Sequence, residues 1–204
     1  MHSRGVEGNS HIDWPDLIAF KRSFTGPVPA KHEHRYDDKG IDTYHGRARF
    51  VGPDTVEVDG SILKARHVLI AAGARPARLG FPGQEHLVTN EEFLDMDALP
   101  RRIVMVGGGY IAAEFSHIAA RAGAEVTVLQ RGGHMLKGFD PDLVGWLMER
   151  FREIGIDVRT NASVEAVEKV GSGFVVRTRS AEGEQVFHAD LVVHAAGRVP
   201  DLDE

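Results

Sequence analysis

The spacing of apolar positions changes twice along the chain, and each regime predicts a different set of elements. Behind Asp13-Trp14-Pro15-Asp16, where an N-cap candidate precedes a first-turn proline, Leu17, Ile18, Phe20 and Phe24 recur at near-helical spacing and predict a helix over about 14–25. Gly26-Pro27-Val28-Pro29 reads as an interruption, and the charged stretch Lys31 to Lys39 as a second helix ending at Gly40. From Ile41 to Ala72 the pattern becomes short β-rich runs, Ile41–Tyr44, Ala48–Val51, Thr55–Val58 and His67–Ala71, with turn signals at Gly52-Pro53-Asp54 and Asp59-Gly60. These runs predict a small meander.

Beyond the Pro- and Gly-rich stretch 74–83, strands and helices alternate. Arg102–Val106, Glu125–Leu129 and Asp157–Arg159 read as strands, and Tyr110–Arg121 and Pro141–Ile154 as the helices between them. That is a βαβαβ unit. Three further strand-like segments within 164–194, split by Gly171-Ser172-Gly173 and Ala181-Glu182-Gly183, predict an antiparallel addition before a last strand at Leu191–Ala195. The expected class is α/β, a three-layer Rossmann-like domain preceded by a helix-plus-meander segment. Leu69-Ile70-Ala71-Ala72-Gly73-Ala74-Arg75-Pro76 and Val193-His194-Ala195-Ala196-Gly197-Arg198-Val199-Pro200 echo one another.

Composition narrows the chemistry. Among 204 residues there are 24 Lys+Arg against 30 Asp+Glu, a net charge of −6, with no dense basic run, so nucleic acid is not an expected partner. Zero cysteines exclude a thiolate metal site, a cysteine nucleophile and a redox dithiol. No apolar run approaches the length of a bilayer span and no apolar leader segment opens the chain, so a cytoplasmic protein without a membrane partner is expected. His32-Glu33-His34 has ligand-type side chains, but alternate residues do not share a helix face, and no metal site is expected.

The chemistry concentrates at Gly107-Gly108-Gly109-Tyr110-Ile111-Ala112, a G-x-G-x-x-A at a strand-to-helix turn. Gly107 permits the tight turn, Gly109 lets a pyrophosphate approach the backbone, and Ala112 keeps the helix close to the sheet. The helix N-terminus offers free N–H groups and the positive end of its dipole. At the end of the following strand, where a carboxylate would accept from a ribose 2′-hydroxyl, the chain has Gln130-Arg131, with Lys137 beyond. NADP is therefore favoured, with NAD the alternative.

These residues resemble the flavoprotein disulfide reductases with two dinucleotide-binding domains, such as glutathione reductase, dihydrolipoamide dehydrogenase and mercuric reductase. The resemblance is carried by Arg102 to Phe115, by Ala71-Ala72-Gly73-Ala74-Arg75-Pro76 and by Ala195-Ala196-Gly197-Arg198-Val199-Pro200. It implies a partial FAD-domain segment over 1–77, an NAD(P)-binding domain over 78–195 and, at 196–204 with Gly197, the start of a return crossover. It also implies that the chain is an internal piece of an enzyme that passes hydride from NAD(P)H to FAD and on to a disulfide or similar acceptor. The N-terminal FAD cradle, the redox cysteines and the interface domain of such enzymes have no counterpart here, so no catalytic residue is expected in this piece.

By the same resemblance Tyr110 is the aromatic lid over the flavin, Glu114 pairs with a lysine beside it, and Arg131 and Lys137 hold the 2′-phosphate, with Gly132 replacing a further polar group. On the residues alone, Tyr110 covering a sheet edge and Glu114 as a solvated helix residue stay open. The complete enzyme would bind FAD and form a homodimer, whereas the chain alone is expected to be a monomer or weakly associating and to retain no FAD. The alternative function is a non-catalytic NAD(P)-binding module with no turnover of its own.

Overall fold

The computed structural model describes residues 11–202. Two helices come first, α1 (Trp14–Thr25) and α2 (Val28–Asp37), followed by the strands β1 (Ala48–Gly52), β2 (Thr55–Val58), β3 (Ser61–Lys64) and β4 (Ala74–Pro76). A short helix α3 (Asn90–Asp95) leads into β5 (Arg102–Val106), α4 (Tyr110–Arg121), β6 (Glu125–Leu129), α5 (Pro141–Glu153) and β7 (Asp157–Arg159). The chain ends in β8 (Ser163–Val170), β9 (Gly173–Ser180), β10 (Gly183–Ala189), β11 (Leu191–His194) and β12 (Arg198–Pro200). Contacts divide it into two units: the described residues up to Ala19 with Pro76–Val199, and Phe20–Arg75 with the described residues from Pro200.

The first unit is built on a parallel sheet of order β11-β5-β6-β7. Its central strands β11, β5 and β6 are mostly apolar because both faces are covered. Ile103, Met105, Val126, Val128, Leu191 and Val193 point to one side, where they meet Ile111, Ala112, Phe115 and Ala119 of α4 and Val144 and Phe151 of α5. Val104, Val106, Leu129 and Val192 point to the other, against Val167, Val176 and Ala189 of the antiparallel sheet β10-β9-β8. The period-2 alternation of strand side chains thus feeds two separate cores. Each fully buried valine, leucine or isoleucine among them contributes about 1.5–3 kcal/mol of burial. The α/β three-layer expectation holds, the third layer being antiparallel strands rather than helices.

The start of α1 belongs to this core. Trp14 Nε1–H donates to Met96 O at 2.8 Å, and its ring meets Phe93 edge-on at 5.6 Å between centroids. Phe93 in turn stacks on Phe115 at 5.0 Å. Thr89 opens α3 with a capping box, its hydroxyl accepting from Glu92 N–H while the Glu92 carboxylate accepts from Thr89 N–H.

At the amino end of β5 an ion pair ties that strand to the segment entering β11. Asp190 accepts from the backbone N–H of Arg102 at 3.0 Å and from its guanidinium, and these bonds hold the Asp190 carboxyl below its ordinary range. A carboxyl whose folded value is depressed contributes stability that is whole above the unfolded value and is lost as pH falls through the folded one. Asp190→Asn is therefore expected to lower the midpoint of thermal unfolding near neutral pH and to narrow that difference as the medium becomes acidic, read by melting curves across a pH series. The pair is exposed, so the effect is modest.

In the second unit β1, β2 and β3 form an antiparallel meander. Here the structure departs from the expected elements in four places. Pro29 initiates α2 instead of interrupting the chain, since a proline in the first turn lacks only an N–H that the helix leaves unpaired, so the helix starts at Val28 rather than Lys31. Asp59 and Gly60 both take the left-handed conformation, with φ of 45° and 83°, and this two-residue turn sends the chain straight back into β3, a strand the apolar pattern missed.

The runs Ile41–Tyr44 and His67–Ala71 are not strands. Their composition is strand-like, but neither pairs with another segment among the described residues, and Leu69 is 91% exposed. Phe20, Phe24, Phe50, Val51 and Ile62 are exposed in the same unit, as expected of a segment with unpartnered apolar surface. β4 and β12 form a two-stranded sheet. Among the described residues no helix is long and apolar enough to cross a membrane.

Candidate functional site

The carboxyl ends of β11, β5 and β6 open on a cleft of about 560 Å³. From β5 the chain proceeds outward to β6 and β7, then returns on the other side of β5 as β11. The loops leaving β5 and β11 therefore diverge, and the crevice between them is the switch point at which doubly wound sheets take ligands.

Three successive glycines form the floor, and they differ in what they tolerate. Gly107 has φ of +111°, and a Cβ there would stand 2.3 Å from Ala195 O. Its own N–H donates to Leu129 O at 2.9 Å. The fold itself requires glycine at this turn. Gly108 is pressed against Gln130, whose side chain would lie 3.0 Å from an added Cβ. Gly109 is different: its backbone is extended, and a Cβ would meet nothing nearer than Ala195 O at 3.8 Å. No protein atom demands glycine there, so the space above it is free for a ligand to approach the backbone.

Gly109 is also the N-cap of α4. It supplies no side-chain cap, and the first turn carries no acidic residue, so the leading N–H groups and the positive dipole end face the cleft uncompensated. Tyr110, 57% exposed, stands on the rim. Ile111 and Ala112 do not reach the cleft; both are buried against the sheet, Ala112 completely, which is the close packing that the small residue permits. Glu114 is exposed one turn further along and also lies outside the cleft lining.

Gln130 lines the cleft in a role its sequence position did not reveal. Its Oε1 accepts from Gly108 N–H at 3.1 Å, and its Nε2–H donates to His134 O at 3.1 Å. Leu136 N–H donates to Gly108 O at 2.7 Å, closing the loop after β6 onto the glycine turn. The side-chain amide braces this architecture.

Arg131 and Lys137 leave that loop from exposed positions and line the cleft; Gly197, with φ of +107°, lines it from the β11 side. Arg78, which the sequence pattern did not single out, joins them. The lining thus holds three cations, Arg78, Arg131 and Lys137, and no carboxylate, in a chain whose net charge is −6. Such a pocket selects a polyanion.

Residues 20–204 match the family described as pyridine nucleotide-disulphide oxidoreductase. The chain belongs to that family. Among curated relatives of this chain, glutathione reductase of Burkholderia cepacia is 34% identical over 92% of the chain and 41% of its own length. Mercuric reductase of Staphylococcus aureus is 30% identical over 92% of the chain and 36% of its own. The solved structure of the HOCl-induced flavoprotein disulfide reductase RclA from Escherichia coli superposes with a TM-score of 0.84 at 26% identity, covering 93% of this chain and 44% of that one. The chain spans about a third to two fifths of the length of the curated relatives it matches.

Proposed function

We propose that the cleft binds a nicotinamide dinucleotide, NADP in preference to NAD, and that this chain is the nicotinamide-nucleotide portion of a flavoprotein oxidoreductase. In that reading Pro76–Val199 is the nucleotide-binding domain, and residues 20–75 belong to an FAD domain. The observation that carries it is the open space above Gly109 at the uncapped start of α4, within a cleft whose charged lining residues are all cations. The pyrophosphate lies over Gly109, taking hydrogen bonds from the first N–H groups of α4. Arg131 and Lys137 take the 2′-phosphate. Tyr110, exposed at the rim, is the lid over the flavin until the nicotinamide displaces it. When bound, the reduced nucleotide supplies the hydride that passes to FAD and on to a disulfide or similar acceptor; the chain's own part is to bind and orient it.

Titration calorimetry of the chain with NADPH and NADH tests this reading. One-site binding of NADPH with weaker binding of NADH is expected, and the absence of heat from both would overturn it.

A further inference from the structure

Arg78 has no part in the reading above, yet its surroundings are unusually ordered for an exposed arginine. The segment that carries it is fixed on both flanks. On one side, Ala77 N–H donates to Gly197 O at 3.1 Å, and Ala77 O accepts from Nε2–H of His194 at 2.8 Å. A carbonyl only accepts, so this bond places a proton on Nε2 of the buried imidazole. On the other side, Gln84 Oε1 accepts from Leu79 N–H at 2.8 Å and from Gly80 N–H at 3.3 Å. Further on, Val167 N–H donates to Pro82 O at 3.0 Å, and a Cβ on Gly83 would fall 1.7 Å from Val167 O. The backbone around residue 78 is clamped to β11 and β8. Its guanidinium is exposed in the cleft and makes no hydrogen bond or ion pair among the described residues.

A cation held this way breaks no existing bond when it takes an anion, and its backbone is already ordered, so only the side chain's own rotamers are left to fix. Which anion it takes follows from the strand order. Adjacent strands lie about 4.8 Å apart, so the β11 rim is roughly 10 Å from the β6 rim that carries Arg131 and Lys137, but only one spacing from the glycine turn after β5. The 2′-phosphate is on the β6 side, whereas the pyrophosphate at the start of α4 is within an arginine's reach of β11. We infer that Arg78 holds the pyrophosphate of the dinucleotide from the β11 side of the cleft, an inference that rests on the dinucleotide reading. Arg131 and Lys137 then distinguish NADP from NAD, and Arg78 contributes equally to both.

The experiment is calorimetry on wild type, Arg78→Gln and Arg78→Lys with three probes: NADPH, NADH and adenosine 2′-monophosphate, which keeps the 2′-phosphate but has no pyrophosphate. Arg78→Gln is expected to weaken NADPH and NADH alike, by about tenfold for one charge-assisted contact, to leave adenosine 2′-monophosphate unchanged and to melt as wild type does. Arg78→Lys is expected to restore part of the loss. Undiminished dinucleotide affinity in Arg78→Gln, or a loss confined to the two probes that carry the 2′-phosphate, overturns the assignment of Arg78 while the cleft remains a dinucleotide site. Failure of the wild type to bind either dinucleotide overturns the reading of the cleft itself.

Discussion

Gly107→Ala is expected to unfold the chain or to cost on the order of 3–5 kcal/mol, whereas Gly109→Ala should leave stability within about 0.5 kcal/mol and abolish most dinucleotide binding. The two residues sit two apart in one motif and face opposite demands. At Gly107 an added Cβ meets backbone at 2.3 Å and must also adopt φ of +111°, so relief requires β5 and the segment after β11 to separate. At Gly109 the backbone is already in a region any residue adopts, and 3.8 Å to Ala195 O is ordinary contact. The methyl group there enters only open space, which the proposed pyrophosphate would fill. Denaturant unfolding followed by circular dichroism reads the first effect, and NADPH calorimetry the second, with a loss of at least tenfold expected for Gly109→Ala. A Gly107→Ala protein with wild-type stability, or a Gly109→Ala protein with wild-type affinity, would show that the roles are not divided in this way.

That division also marks how far the sequence could be read. The βαβαβ unit was legible because burial on two faces leaves its strands apolar past their first residue, as in Ile103–Val106 and, but for Thr127, Val126–Leu129, and because α4 shows the helical spacing its single buried face requires. The glycine motif was legible because backbone conformation and ligand approach constrain consecutive positions. The bracing role of Gln130 was not, since its hydrogen bond to Gly108 spans 22 residues and a strand-end glutamine carries no pattern of its own. Arg78 escaped for a similar reason: it owes its place to His194, Gly197 and Gln84, and only one of those partners is close in sequence. The echoed segments were visible as repetition, but their meaning was structural. Each places a left-handed glycine, Gly73 with φ of 75° or Gly197 with φ of 107°, before a strand of the β4-β12 pair. The strands expected at Ile41–Tyr44 and His67–Ala71 failed for the opposite reason, since apolar β-branched composition states a preference for pairing without supplying a partner.

Arg131→Ala is expected to erase most of the preference for NADPH over NADH while leaving NADH affinity nearly unchanged. A 2′-phosphate carries a charge of about −1.5 to −2 at neutral pH, and Arg131 and Lys137 each offer it a charge-assisted hydrogen bond of about 1.5–3 kcal/mol before screening in this exposed rim. Neither side chain makes an ion pair or hydrogen bond of its own among the described residues, so no native contact is given up on binding. Gln130 strengthens the argument in a way its identity alone did not. Its amide is oriented by Gly108 N–H and His134 O, it carries no charge to attract ribose hydroxyls as a carboxylate would, and no lining carboxylate repels the phosphate. With exposure discounting the two contacts, NADPH should bind roughly ten- to a hundredfold more tightly than NADH, on the order of 1.4–2.8 kcal/mol. Raising the salt concentration should shrink that ratio, because the discriminating charges are solvent-facing. Calorimetry on wild type and R131A at two ionic strengths measures all of this, and equal affinities of the wild type for the two nucleotides would overturn the NADP assignment while leaving the dinucleotide cleft in place.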